Sequence, residues 1–371
     1  MITFSTEISE DNILNAFNNN VVRFSSDSTE TVLNATVTIG VTPLTLYPLP
    51  NGSFYFNFKE YIVPFVNNNN FQDTINPDLD ASDDTTFTYL GEGIYVADVT
   101  FQINFVDEST DSIDKQYTFL SSVVQLTDYK KQLIQTNVSF PLLPLFPNTN
   151  NTYYVKYWEG YPFDISIKND NTDIIIDNLS NLLDYTFESK GVITRLFFCD
   201  GSIDESLTDL LPIALGRSTL QYLNKYIVID KEDVCDGVYM KWFNPQGGYS
   251  YWKFPNIYRT SKSLKSIGEI NTDFENIEET FNQVSQIGQT AGNRLVVDSD
   301  VLKDEEFSLL STILTSPKVY YFVGQPFARA SANDWVEVKV LTSNQITREY
   351  KGQQPQIRLE IELPDDFTQT I

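Results

Sequence analysis

Aromatic and aliphatic residues alternate with small polar ones along most of the chain, and this constrains the fold more than any other feature. Phe54, Phe56 and Phe58 are separated by Tyr55 and Asn57, and Phe101, Ile103 and Phe105 alternate with Thr100, Gln102 and Asn104. A period of two puts every second side chain on one face of an extended strand, so each run carries one apolar and one polar face. Several short strands of this kind bury their apolar faces against each other, which predicts sandwich modules. Runs at 153–158, 164–168, 173–176, 195–198, 226–229 and 237–242 continue the pattern. Asn51-Gly52 sits between 44–47 and 54–56 and reads as a hairpin turn, because this pair tolerates positive φ. Ile13, Leu14 and Phe17 suggest a single helical turn.

The 371 residues correspond to two or three domains at roughly 100–200 residues each. The reading is mainly β and multidomain. An N-terminal β-sandwich over 1–140 is followed by a Pro/Asn-rich linker at 141–151, a second β-rich domain at 152–260 and a mixed α+β assembly domain at 261–371. The proline run at 140–147 is expected to be extended and stiff, since proline fixes φ and lacks a donor. A short helix is expected over 206–215. In the last region Thr272-Asp-Phe-Glu275 has the form of a capping box. Phe274, Ile277, Phe281, Val284 and Ile287 then recur at spacings of three and four before Gly288, predicting a helix over 272–288. A second helix is predicted over 304–314, with Phe307, Leu310 and Leu314 on one face, ahead of strands at 318–322, 335–340 and 356–362.

The chain has no histidine. That excludes Ser-His-Asp and Cys-His nucleophile pairs, the HExxH zinc site and the facial triad. Acid–base chemistry would rest on carboxylates, Lys or Tyr. A net charge of −25 opposes binding to duplex nucleic acid, which needs clustered Lys and Arg. Cys199 and Cys235, each in a Cys-Asp-Gly triplet, are too few for a disulfide framework and read as free thiols. The first residues lack a basic and then apolar leader pattern, and no apolar run approaches the ~18 residues of a membrane span. The expectation is a soluble protein made in a cytoplasm, without membrane insertion.

No stretch carries a catalytic, cofactor-binding or metal-binding signature. Gly91-Glu-Gly93 and Gly247-Gly248 are turns between strands rather than phosphate cradles. The acidic loops at 78–84 and 107–114 do not match the twelve-residue calcium loop and read as solvated. A carboxylate pair for glycoside hydrolysis has no preferred candidates among so many acids. Sequons such as Asn34-Ala-Thr36 and Asn137-Val-Ser139 read as chance in an Asn-rich chain. Trp242, Tyr249, Tyr251 and Trp252 form an aromatic cluster, read as strand core or interface ahead of a sugar platform. Directly after it come Tyr258, Arg259, Lys262 and Lys265, the one local basic cluster. These eight residues are the expected contact surface, with the cations pairing with acidic groups on a neighbouring copy.

Two stretches carry a resemblance. One is Cys235-Asp-Gly-Val-Tyr-Met-Lys-Trp-Phe-Asn-Pro-Gln-Gly-Gly-Tyr-Ser-Tyr-Trp-Lys-Phe254. The other runs from Asp304-Glu-Glu-Phe through Leu314-Thr-Ser-Pro-Lys-Val-Tyr320 to Trp335-Val-Glu-Val-Lys-Val340. With Ala35-Thr-Val-Thr-Ile-Gly40 and Tyr47-Pro-Leu-Pro-Asn-Gly-Ser-Phe-Tyr-Phe-Asn57, they resemble tail structural proteins of tailed bacteriophages that infect Bacteroidetes, including the crAss-like phages. The blocks are scattered and structural. They do not separate hub from ring, adaptor or fibre-attachment roles, and a tail hub is the preferred member. The resemblance implies a non-enzymatic virion subunit in a ring of identical copies. Its partners would be other tail proteins: portal-proximal ring proteins, tail fibres or muzzle proteins. Viral DNA would pass through without specific binding. The rival readings are a glycan- or receptor-binding module, a carboxylate-based glycoside hydrolase and, more weakly, a cell-surface adhesin.

Overall fold

The computed structural model describes residues 1–76, 88–126, 138–146, 149–199, 211, 213–233, 236–272, 274, 276–279, 281–327, 332–341 and 355–370. The loop at 78–84, the helix expected over 206–215, Asn137 and Cys235 lie wholly or mainly outside these residues, as do the side chains of Cys199 and Tyr258.

The chain is mainly β, as the alternation predicts. The first part contains β1 (Ile2–Thr6), β2 (Ile13–Asn15), β3 (Val21–Ser26), β4 (Val32–Ile39), β5 (Thr42–Leu46), β6 (Phe54–Asn57), helix α1 (Lys59–Val66), β7 (Thr88–Leu90), β8 (Ile94–Phe105) and β9 (Thr110–Leu120). One sheet runs β1-β3-β6 and the other β2-β9-β8-β4-β5. Their inner faces share a core in which Phe24 meets Phe101 edge-on with ring centroids 5.1 Å apart and stacks on Phe54 at 5.3 Å. Offset and edge-on pairs of this kind suit the quadrupole of the rings. In β8 every second residue from Ala97 to Phe105 is buried.

Two local expectations are corrected here. Ile13–Asn15 is a strand, pairing in parallel with β9, rather than a helical turn. Asn51-Gly52 does form a turn, with Gly52 at φ 76. However, β5 pairs with β4 while β6 pairs with β3, so the turn joins two sheets instead of closing a hairpin. The side chains decide this: Phe54 and Phe56 are drawn into the aromatic core between the sheets.

The chain continues with β10 (Phe140–Pro141), β11 (Thr152–Trp158), β12 (Phe163–Lys168), β13 (Ile174–Asn178), β14 (Leu183–Phe187), β15 (Ile193–Cys199), β16 (Gly216–Tyr222), β17 (Lys225–Glu232), β18 (Val238–Phe243) and β19 (Tyr249–Phe254). Then come β20 (Asn256–Asn271), β21 (Val284–Val301), α2 (Asp304–Ser311), β22 (Val319–Phe322), β23 (Trp335–Val340) and β24 (Gln356–Glu362). The sheet orders are β10-β12-β15-β7, β11-β17-β16-β13-β14 and β19-β18-β22-β23-β24-β21-β20. One hydrophobic core, from Leu143 to Ile361, is common to all three sheets. The proline run is extended at β10, but Leu142 and Leu143 are buried, so this segment is internal. The position 260, expected as a boundary, falls inside β20.

The helix expected over 304–314 is present as α2, extended by a 3₁₀ turn at Thr312–Thr315. Glu306 accepts a bond from the Lys303 amide at 2.8 Å and closes its N-terminus. Leu309, Leu310 and Ile313 form the buried stripe, while Leu314 is at the surface.

The helix expected over 272–288 does not form. Residues 256–271 and 284–301 instead pair as a long antiparallel ribbon in which Asn271 pairs with Val284 and Asn256 with Asp298. Thr272 closes the end of the ribbon: its amide donates to the Gln283 carbonyl at 2.9 Å and its hydroxyl to the Asn282 carbonyl at 2.7 Å. A short helix is stable only where its apolar stripe packs on something. Phe274, Ile277 and Phe281 have no such surface and are 80%, 87% and 103% exposed. Ser285, Thr290 and the glycines at 288 and 292 further favour the paired, extended state.

Candidate assembly surface

The eight expected contact residues divide into an internal and an external half. Trp242, Tyr249, Tyr251 and Trp252 lie on β18 and β19, whose side chains are buried on both faces. The Trp242 indole donates to the Thr312 hydroxyl at 2.8 Å, and Tyr251 donates to Asp164. Trp252 packs edge-on against Trp158 at 5.3 Å. These four rings hold sheets together and are not on the surface. That corrects the expected role and equally removes them as a sugar platform. The physical reason is position: β18 has strands on both edges, and β11 and β12 pack against β19.

Beside these rings stands a buried ionic cluster that the sequence pattern did not signal. Asp73, in the loop after α1, accepts from Arg195 Nη1 at 2.7 Å and Nη2 at 3.1 Å, and from Lys241 Nζ at 2.7 Å. Arg195 also grips Asp164 through Nε at 2.9 Å and Nη2 at 2.7 Å. Burial alone would raise the Asp73 carboxyl; the charges of Arg195 and then Lys241 outweigh it and hold the group below the usual carboxylate range. Burial pulls Lys241 below its usual value despite Asp73. The permanent charge of Arg195 is therefore the main anchor. Lys241 lies 4.2 Å from the Trp335 ring centroid, a cation–π contact within the protein. The cluster ties the 67–76 loop to β12, β15 and β18. With every charge matched, it is a staple rather than a reactive centre.

A second network fastens α2 to its sheet. Asp230 accepts from Arg217 Nε at 2.9 Å and Nη2 at 2.8 Å, and from Lys303 at 3.3 Å. Burial opposes its ionisation, and the bonds and charge of Arg217 bring it down to about 2. The expected acidic loop at 107–114 is only partly a loop, since β9 begins at Thr110; in the turn before it Asp107 accepts from the Ser109 amide and hydroxyl at 3.0 and 2.6 Å.

The external half of the expected surface lies on the ribbon. Arg259, Lys262 and Lys265 are exposed along β20, which is the edge strand of its sheet. Lys262 reaches Asp366. Among the described residues, Arg259 and Lys265 have no ion-pair partner. The root of the ribbon is paired on its other edge as well. β24 pairs with β21 from Arg294 to Val301. Beyond it the C-terminal segment runs alongside, where Leu363 and Asp366 donate amides to Asn293 and Ala291 at 2.9 Å each. A side chain added at Gly288 would meet the Thr370 methyl at 3.0 Å, so the C-terminal segment packs closely there. Register shifts flank Gly268, opposite Gly288. Bulges of this type bend and twist a strand. Beyond that bend, the apolar tip carries Phe274, Ile277 and Phe281 into solvent. At about 3.3 Å per residue, the part of the ribbon past β24 projects on the order of 30 Å.

No helix among the described residues is long and apolar enough to cross a membrane. No protein-family model matches the chain. No curated protein matches it either. Among solved structures it is similar to the fibronectin(III)-like modules of CbhA from Clostridium thermocellum, at 8% identity and a TM-score of 0.21, covering 63% of this chain and 95% of that one. It is similar to a 1.5-MDa bacterial ice-binding adhesin at 9% identity and a TM-score of 0.19, covering 81% and 92%. A Ca²⁺-stabilized adhesin of an Antarctic bacterium matches at 9% identity and a TM-score of 0.18, covering 81% and 69%. At TM-scores this low the overlaps carry no functional meaning.

Proposed function

We propose that the chain is a non-enzymatic structural subunit of a bacteriophage tail, a hub or ring component that assembles in several copies around the tail axis. The observation that carries this reading is the β20–β21 ribbon: a clamped root, a free β edge and an apolar tip held in solvent. Monomeric proteins rarely expose large apolar groups together, and such groups mark contact sites. The ribbon supplies an arm that reaches neighbouring subunits, while the doubly buried β18 and β19 and the matched ionic staples give the body the stiffness a ring wall requires. The resemblance of 235–254 and 304–340 to tail proteins supplies the virion context, with other tail proteins as further partners.

The charge of −25 then has a use. An acidic channel wall repels phosphates, so DNA slides past without adhering. This part of the reading requires acidic residues to concentrate on the lumen of the assembled particle. An even distribution in a reconstruction by electron microscopy would remove it.

The test is native mass spectrometry with light scattering over a concentration series, followed by electron microscopy. Closed rings of defined copy number support the proposal. A strict monomer that binds glycans in an array screen would replace it with the receptor-binding reading.

A further inference from the structure

This inference rests on the assembly reading and names the contact. We infer that the basic edge of β20 in one copy docks on the acidic β13–β14 edge of the next, a heterologous contact between identical chains.

Among the described residues both surfaces are free β edges with exposed apolar side chains. β20 ends the seven-stranded sheet and β14 ends a five-stranded one. An unpaired edge presents a row of unused N–H and C=O groups that another strand can complete. Leu264 on β20 is 64% exposed, and Leu183 on β14 is 55% exposed.

Their charges are opposite. Arg259 and Lys265 lie in a stretch of β20 without a register shift, an even number of residues apart, so they share one face about 20 Å apart. On the other edge, Asp177 and Asp184 are cross-strand partners. Asp184 is exposed and Asp177 half-buried, and among the described residues neither has an ion-pair partner. Like charges directly opposite one another destabilise a sheet. A cation from outside relieves that repulsion, and Arg259 or Lys265 of a neighbouring β20 would supply it. Because each copy bears both surfaces, the contact repeats head to tail and closes into a ring when the rotation allows.

The experiment uses the full chain with paired charge reversals. Arg259→Glu with Lys265→Glu makes the arm acidic; Asp177→Lys with Asp184→Lys makes the receiving edge basic. Each double variant alone should self-associate at least ~10-fold more weakly than wild type in sedimentation velocity at low salt. Circular dichroism should be unchanged, since Arg259, Lys265 and Asp184 are exposed and Asp177 keeps part of its side chain in solvent. Mixing the two double variants should restore assembly, because each acidic arm then meets a basic edge and each basic arm an acidic one. A misfolded variant cannot produce that rescue. Wild-type association should also weaken as salt rises. If wild type forms multimers that neither reversal weakens, this contact is wrong and the assembly reading stands. If wild type stays monomeric throughout the concentration series, both fail.

Discussion

The N-terminal sandwich and the β20–β21 ribbon are built from the same kind of sequence and end in opposite environments. From Ala97 to Phe105, β8 alternates apolar and polar residues and buries every apolar one. β20 also spaces Ile257, Leu264, Ile267 and Ile270 along an extended strand, and all of them are exposed. What separates the two is the presence of a second sheet. β8 faces β1, β3 and β6 across a shared core, whereas the outer ribbon has only its own partner strand and the C-terminal segment alongside. Apolar pattern therefore shows what a strand is able to bury, and the surroundings determine whether it does.

The comparison can be broken most forcefully in the cores. Replacing Phe101 by Ala should cost about 3–5 kcal/mol, from lost transfer energy and the cavity left behind. Urea unfolding monitored by fluorescence measures it. Phe281→Ser should change stability by less than about 0.5 kcal/mol, as expected for a surface site. If the two variants lose comparable stability, the tip is packed and the contrast between the regions collapses.

The ionic staple gives an effect of similar size. Asp73→Ala leaves Arg195 and Lys241 with an uncompensated buried charge and should cost about 3–5 kcal/mol. The same urea titration reads this loss, and a shift under ~1 kcal/mol would mean the loop is dispensable to the body.

Acid should weaken the body through its buried carboxylates. Asp73 and Asp230 both have folded-state values below those of the unfolded chain. A depressed carboxylate contributes stability that is complete above its unfolded value, near pH 4, and lost as pH falls through the folded value. For Asp230 that window closes at about 2. Urea midpoints should therefore fall between pH 4 and pH 2, and Asp230→Asn should make the decline shallower. An unchanged slope would mean that other carboxylates carry the acid response.

The smallest expected effect concerns the root of the ribbon. Ending the chain after Leu363 removes Asp366, the residue that bonds to Ala291, Asn293 and Lys262. Amide exchange at 288–293 should accelerate while the sandwich core keeps its protection. Equal acceleration in both would show that the tail supports the whole molecule rather than the arm.

Legibility in the sequence followed the range of the interactions involved. The strands at 100–105, 335–340 and 356–362 were readable because a period of two needs only neighbouring residues to express it. Helix α2 was readable because Phe307, Leu310 and Leu314 recur at spacings of three and four, although the buried stripe is Leu309, Leu310 and Ile313. The 272–288 segment was misread because spacings of three and four also fit a hairpin end followed by a strand, and the choice depended on a packing surface that is absent. The hairpin at Asn51-Gly52 was misread for a related reason: turn chemistry fixes the bend but does not say which sheet each strand joins. Among the contact residues, Arg259, Lys262 and Lys265 were found on the surface, whereas Trp242, Tyr249, Tyr251 and Trp252 were drawn inside. An aromatic strand reads identically in a core and at an interface. Asp73, Arg195 and Lys241 gave no sequence signal, since they are distant in the chain and meet only in the folded state.

By itself, then, the sequence determined a mainly β chain of strongly acidic character and without imidazole chemistry, because alternation, charge and composition are properties of the residues alone. Tertiary structure decided which aromatic runs are core and which are arm, which charges are paired in the interior, and which edges stay open. Those outcomes depend on what each strand packs against, and that partner is supplied by residues far away in the chain.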